Sequence, residues 1–233
     1  MNEPSAVVLI VEDEPHARAV LQVTLKQQGY VCLHAATGAE GVSAAIEREP
    51  DLVLLDLGLP DIDGVEVTRR VRERSAVPII VVSARGQEEH KIEVLDEGAD
   101  DYVMKPFVAG ELLARVRVAL RHNRAAESAS DAGTVQVGDL VVDFDLRRVT
   151  AGGSEVHLTP TEYRLLAVMI RSSGRVLSNR QILRQVWGPR YDEQLGYLRV
   201  YMKKLRYKLE PDPTRPRYLV NEPGVGYRLR MPG

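Results

Sequence analysis

Runs of apolar residues alternate with mixed polar stretches through the first half of the chain. Residues 7–11, 30–35, 51–55, 77–82 and 102–104 are short and largely apolar, and read as strands. Residues 15–28, 38–48, 64–74, 87–97 and 110–121 lie between or after them and read as helices. Pro15 suits a first helical turn, and Gly29 and Gly98 suit helix stops. Leu52 to Leu55 are apolar without a break, the pattern of a strand buried on both faces of a parallel sheet. Strict alternation of five strands with five helices predicts a doubly wound α/β domain with right-handed crossovers. The flavodoxin-like strand order 2-1-3-4-5 is the expected arrangement.

The pattern changes at residues 122–133, which lack large apolar side chains and read as a flexible linker, with room for a helical extension at its start. This predicts a domain over 1–121 and a second over 134–233. The second opens on short β pieces at 135–137, 140–142, 148–150 and 155–158, with Gly152-Gly153 as a tight hairpin turn. A helix follows from Pro160, with Thr159 as its cap and Glu162 three residues on, as in a capping box. Further helices are expected at 179–187 behind Ser178 and at 193–209. Extended runs at 218–220 and 227–229 flank the turn Pro223-Gly224-Val225-Gly226. Three helices and then a hairpin outline a winged helix-turn-helix of α+β class.

Charge separates the halves. Residues 1–121 hold 21 Asp and Glu against 13 Lys and Arg, a balance of −8; residues 122–233 hold 12 against 18, a balance of +6. The net −2 therefore hides an acidic unit joined to a basic one, which suggests an anionic partner such as nucleic acid. No apolar run approaches the ~20 residues of a membrane span, and the opening residues do not resemble a signal peptide, so no membrane partner is expected. The single Cys32 excludes an internal disulfide, and a reducing, cytoplasmic setting is the default.

Candidate chemistry gathers at the strand ends of the first half: Glu12 and Asp13 after the first, Asp56 after the third, Ser83 after the fourth, Lys105 after the fifth. In the expected sheet these ends share one crevice, where open α/β folds bind ligands. Clustered carboxylates repel unless a cation joins them, and oxygen donors suit Mg²⁺. Lys105 could hold a second anion. A phosphoryl group meeting Asp56, the metal, Ser83 and Lys105 satisfies every charge, with Asp56 as nucleophile of an aspartyl-phosphate. The plainer alternative is a set of unrelated strand-end caps with one salt bridge.

Glu12-Asp13, Asp56, Ser83-Ala84 and Lys105-Pro106-Phe107 resemble the receiver domain of bacterial two-component response regulators over about residues 6–121. The resemblance implies phosphorylation of Asp56 by a sensor histidine kinase. It implies Mg²⁺ held by Asp13, Asp56 and the Gly58 carbonyl, with Glu12 acting through water. It also implies a switch in which Ser83 and Tyr102 respond to the phosphoryl group, with Ala84 and Lys105 beside it, and a cis peptide at Lys105-Pro106. Tyr102 could equally be an ordinary strand aromatic.

The stretch 98–102 and Glu111-Leu112-Leu113-Ala114-Arg115 resemble the OmpR/PhoB subfamily, which implies a two-fold dimer of phosphorylated receivers. Lys91, Glu97, Asp100, Asp101, Glu111, Arg115 and Arg121 are the candidate interface charges, Lys91 against Glu111 and an acid of 97–101 against Arg115 or Arg121 of the second copy. A solvated helix face is the alternative.

In the last long helix, Leu198, Met202, Leu205 and Leu209 form an apolar stripe, and Arg199, Lys203 and Arg206 cluster beside it. That is the division a helix in the DNA major groove requires. The segment 223–228 resembles the subfamily's wing, with Arg228 toward double-stranded operator DNA, and 187–193 resembles its RNA polymerase-contacting loop. Residues 56–61, 187–189, 197–202 and 212–217 further resemble the Kdp-type branch that governs potassium-transport genes. A same-subfamily regulator of another operon remains an alternative. So does an enzyme turning over an Asp56 phosphate, although no substrate pocket or second acid/base pair is evident and the basic half would be unexplained.

Overall fold

The computed structural model describes residues 6–125, 133–172 and 174–230, with side chains in the first of these stretches described as far as 120. The chain divides into two compact units, Met1–Asn123 and Arg124–Gly233.

Unit 1 holds five parallel strands in the order β2-β1-β3-β4-β5: β1 (Val7–Val11), β2 (Val31–Ala35), β3 (Leu52–Leu55), β4 (Ile79–Ser83) and β5 (Asp101–Met104). The helices α1 (Pro15–Lys26), α2 (Gly38–Glu47), α3 (Gly64–Arg72), α4 (Glu88–Asp96) and α5 (Ala109–Ala125) supply the crossovers. The order makes β3 central, and all four of its residues are buried, as an uninterrupted apolar run requires. Val8, Ile10, Leu52, Leu54, Ile80 and Val82 pack with Leu21, Leu25, Leu112 and Val116 of α1 and α5 into one core. Caps fix where helices begin: Thr37 accepts from the Glu40 amide, and Asp63 accepts from the Val65 amide. Helix α5 runs on to Ala125, past the expected linker start; residues 126–132 of that linker lie outside the described residues.

Unit 2 begins with an antiparallel sheet of β6 (Thr134–Val137), β7 (Leu140–Asp143), β8 (Arg148–Ala151) and β9 (Ser154–Glu155). Gly152 and Gly153 both have positive φ, 57° and 80°, which a two-residue hairpin turn demands. Three helices follow: α6 (Pro160–Arg171), α7 (Asn179–Val186) and α8 (Leu195–Leu209). Thr159 and Glu162 form the expected capping box on α6, and Ser178 with Gln181 forms a second on α7. The wing is a three-stranded sheet, β10 (Leu177–Ser178), β12 (Gly226–Leu229) and β11 (Leu219–Glu222), in the order β10-β12-β11.

Two expected elements differ. The piece at 155–158 is a strand only over Ser154–Glu155, because Thr159 turns the chain into α6 directly afterwards. The last helix starts at Leu195 rather than 193, since residues Pro189–Tyr191 form a short 3₁₀ turn and the Gln194 amide donates to the Tyr191 carbonyl.

Candidate functional site

The strand ends of unit 1 meet as the pattern predicts. The backbone amide of Asp56 donates to the Val11 carbonyl (2.9 Å), and that of Lys105 donates to the Ser83 carbonyl (2.9 Å). Glu12, Asp13 and Asp56 consequently bring carboxylate oxygens within 4.8 Å of one another. Lys105 Nζ bridges two of them, donating to Glu12 Oε2 at 2.6 Å and Asp56 Oδ2 at 2.9 Å. The other oxygen of Asp56 accepts from the Leu57 amide at 2.7 Å.

Glu12 is 1% exposed, and burial raises its pKa although the bond to Lys105 pulls the other way. Burial works against charge on Lys105, but the bonds to Glu12 and Asp56 outweigh it and its pKa is raised. Gly58 lies beside Asp56; a Cβ there would fall 3.9 Å from Asp56 Oδ2. Gly64 is more constrained. A Cβ at that position would sit 2.5 Å from the Asp56 carbonyl oxygen and 2.7 Å from Leu57 Cα, so only glycine lets α3 start this close to the crevice.

Ser83 is buried, and its hydroxyl accepts from the Arg85 amide at 3.3 Å. Ala84 beside it is exposed. The Tyr102 ring is turned inward and 5% exposed, with its hydroxyl donating to the Arg85 carbonyl; burial raises its pKa. Arg85 also pairs with Asp63 (2.5 Å), tying the loop after β4 to the cap of α3. The Lys105-Pro106 peptide is cis.

The candidate interface charges separate into two groups. Asp100 is not a surface charge: it is 5% exposed, pairs with Arg72 at 2.7 Å and accepts from the Ile79 amide at 3.0 Å. Its carboxylate closes the α3–β4 connection inside the domain. Asp101 and Glu111 both bond Arg115 within the same chain, at 3.0 and 2.7 Å, and Lys91 approaches Glu88 at 3.8 Å. Glu97 is half-buried, and the Arg121 side chain lies outside the described residues.

In unit 2, Leu198, Met202, Leu205 and Leu209 are buried as the stripe predicts, together with Tyr197, Val200 and Tyr201. Trp187 meets Tyr201 at a tilt and Tyr197 edge-on, with ring centroids 5.2 and 6.1 Å apart. Arg199 and Lys203 are exposed on the remaining face. Arg206 differs. Its guanidinium donates twice to the Leu219 carbonyl (3.0 and 2.7 Å) and lies over the Tyr227 ring, so it fastens α8 to the wing. Arg228 pairs with Glu222 across the hairpin (2.7 Å).

Glu210, which no local pattern singled out, accepts from the amides of Arg217, Tyr218 and Leu219. Its sequence signal is an acid directly after an amphipathic helix, which is too common to read.

A doubly wound domain with a lysine-bridged carboxylate cluster, on one chain with a winged helix, is a signal-receiving module coupled to a DNA-binding one. Comparison with known proteins agrees along the chain. Residues 8–117 match the response regulator receiver domain, and residues 153–229 match the transcriptional regulatory protein C-terminal domain. The KDP operon transcriptional regulatory protein KdpE of Escherichia coli K12 is 52% identical over 224 residues, 96% of this chain and 99% of its own. The transcriptional regulatory protein KdpE of Mycobacterium tuberculosis (strain CDC 1551 / Oshkosh) is 44% identical over 223 residues, 96% and 98% of the two chains. Among solved structures, the RitR mutant C128S superposes with a TM-score of 0.82 at 25% identity, covering 98% of this chain and all of that one. The chain belongs to the OmpR/PhoB-type response regulators of two-component systems, which are phosphorylation-dependent transcription regulators.

Proposed function

We propose that Asp56 is the phosphoacceptor of a regulator of potassium-transport genes. The carrying observation is Lys105 bridging Asp56 and Glu12 while Asp13 closes the same cluster. In the proposed transfer, an Asp56 carboxylate oxygen attacks the phosphorus of a phosphohistidine on the sensor kinase. The P–N bond breaks, an acyl phosphate forms, and the imidazole leaves with the electron pair. Lys105 holds an oxygen of the transferred group, and Ser83 and Tyr102 report its presence to the loop after β4. Three carboxylates clustered within 4.8 Å form a hard, oxygen-only donor set, so Glu12, Asp13, Asp56 and the Gly58 carbonyl would hold Mg²⁺. The ion supplies neutralisation of charge on the transferred group. The receiver takes phosphate onto itself and does not turn over a substrate.

Phosphorylation then favours a receiver homodimer through Lys91, Glu97, Asp101, Glu111, Arg115 and Arg121. Asp101, Glu111 and Arg115 pair within one chain, which supports treating them as one cluster. Dimerisation brings two α8 helices to paired half-sites on operator DNA, where linkage raises apparent affinity. Arg199 and Lys203 meet the duplex directly, Arg228 does so from the wing, and Arg206 acts by holding the wing against α8. An RNA polymerase contact in 187–193 falls to Pro189, Arg190 and Glu193, since Trp187 and Tyr191 are buried in the domain. The KDP operon named for the Escherichia coli relative supports potassium-transport genes as the output, and a DNA target suits a cytoplasmic setting. Treatment with acetyl phosphate, followed by footprinting on the potassium-transport promoter, tests the whole reading. Wild-type protein gains a phosphate and protects two half-sites; Asp56→Ala does neither. Labelling of Asp56→Ala to the wild-type level would overturn it.

A further inference from the structure

Unit 2 contains a recess of about 490 Å³ whose lining has no role in the proposed DNA contacts. Its walls are the β6–β7 turn at Asp139, the segment Arg215 to Tyr218 between α8 and β11, and Arg230 just after β12. Three guanidinium groups, those of Arg215, Arg217 and Arg230, surround it, all on exposed residues. Among the described residues none of the three makes an ion pair, whereas Arg72, Arg85, Arg115, Arg180 and Arg228 all do. The one acid of the lining, Asp139, already accepts from the Tyr218 hydroxyl. The recess is therefore lined by three positive charges and one negative one, that of Asp139, and none of the three arginines is paired with it.

Its floor is held in place. The Arg217 and Tyr218 amides are bonded to Glu210, and the Arg230 amide donates to the Tyr218 carbonyl at 2.8 Å. The recess also lies at the base of the hairpin. Leu219 pairs with Leu229 at that end, and the turn Pro223–Val225 lies at the other, roughly 13 Å away at about 3.3 Å per residue. A ligand at the base leaves the wing tip free.

Fixed backbone, a concave shape in the size range of small-molecule sites and three forked donors together suit a compact anion. Guanidinium pairs bidentately with phosphate oxygens, and three such groups match two or more phosphate charges. We propose that this recess binds a small soluble compound with two or more phosphate groups, held by Arg215, Arg217 and Arg230.

Isothermal titration of the full chain with ATP and with inorganic tripolyphosphate, in EDTA and at constant ionic strength, tests this. One site per chain is expected. The surface double variant Arg215→Ala/Arg230→Ala should weaken binding at least tenfold, with the melting temperature unchanged. The variant Arg215→Lys/Arg230→Lys should lie between, because charge remains and the fork is lost. Arg199→Ala/Lys203→Ala, on the exposed face of α8, should bind as wild type. Loss in that variant instead would place the anion on the DNA-binding face and overturn the proposal. So would wild-type affinity after loss of Arg215 and Arg230, or binding that never saturates.

Discussion

Glu210 offers the sharpest test of how unit 2 is built. It is 7% exposed at the end of α8, and its carboxylate receives three backbone amides from the start of the wing. Arg217 N donates at 2.7 Å, Tyr218 N at 2.9 and 3.2 Å to the two oxygens, and Leu219 N at 2.7 Å. Glu210→Ala removes the acceptors of all three amides at once. A hydrogen bond to a charged group contributes about 1.5–3 kcal/mol, and a buried donor left alone costs about 1–3 kcal/mol. Water can reach the amide of exposed Arg217, so the loss is about 3 kcal/mol rather than the full sum. For a domain of this size that corresponds to a melting-temperature drop of roughly 12–24 °C. Trp187 is the sole tryptophan and is buried in unit 2, so its fluorescence follows this unit's melting without interference from unit 1. Glu210→Gln keeps one acceptor oxygen and should recover about half the loss. Operator affinity should fall with stability, because the same bonds seat the strand that Arg206 grips. A Glu210→Ala protein melting within 3 °C of wild type would refute the reasoning.

Other perturbations follow from the same geometry. Gly64→Ala drives a methyl group against the Asp56 carbonyl and Leu57 Cα, so α3 must shift at a cost of about 1–3 kcal/mol; acetyl phosphate labelling should slow while Lys105 stays in place, and an unchanged labelling rate would remove Gly64 from the account. Glu66 has its pKa lowered from 4.5 to about 2 by hydrogen bonds from Arg69 and Arg70. Its stabilisation is therefore complete above pH 4.5 and is lost as pH falls through about 2, and an NMR titration midpoint near 4.5 would contradict the bonds. Glu111→Lys places a base beside Arg115 and, in the proposed dimer, against Lys91 of the second copy, so phosphorylated protein should sediment as monomer at a concentration where wild type is dimeric; equal dimerisation would exclude this face.

The chain's own order of residues determined the elements and the chemistry at their ends. Uninterrupted Leu52–Leu55 suits a strand covered on both faces, and Thr159-Pro160-Thr161-Glu162 carries a capping box whose partners are three residues apart. With strict β–α alternation, these local signals placed Glu12, Asp13, Asp56 and Lys105 at strand ends that a parallel sheet must bring together. Local signals also separated the buried stripe of α8 from its basic face. What long charged side chains do was decided only by the fold. Arg206 lies on the basic face by periodicity yet spends its donors on Leu219, thirteen residues away. Asp100 reads as a surface acid yet closes on Arg72, and Glu210 has no sequence signature at all. Helix and strand identity follow from periodicity over a few neighbours, whereas the partner of a flexible side chain depends on which distant backbone groups packing leaves without one.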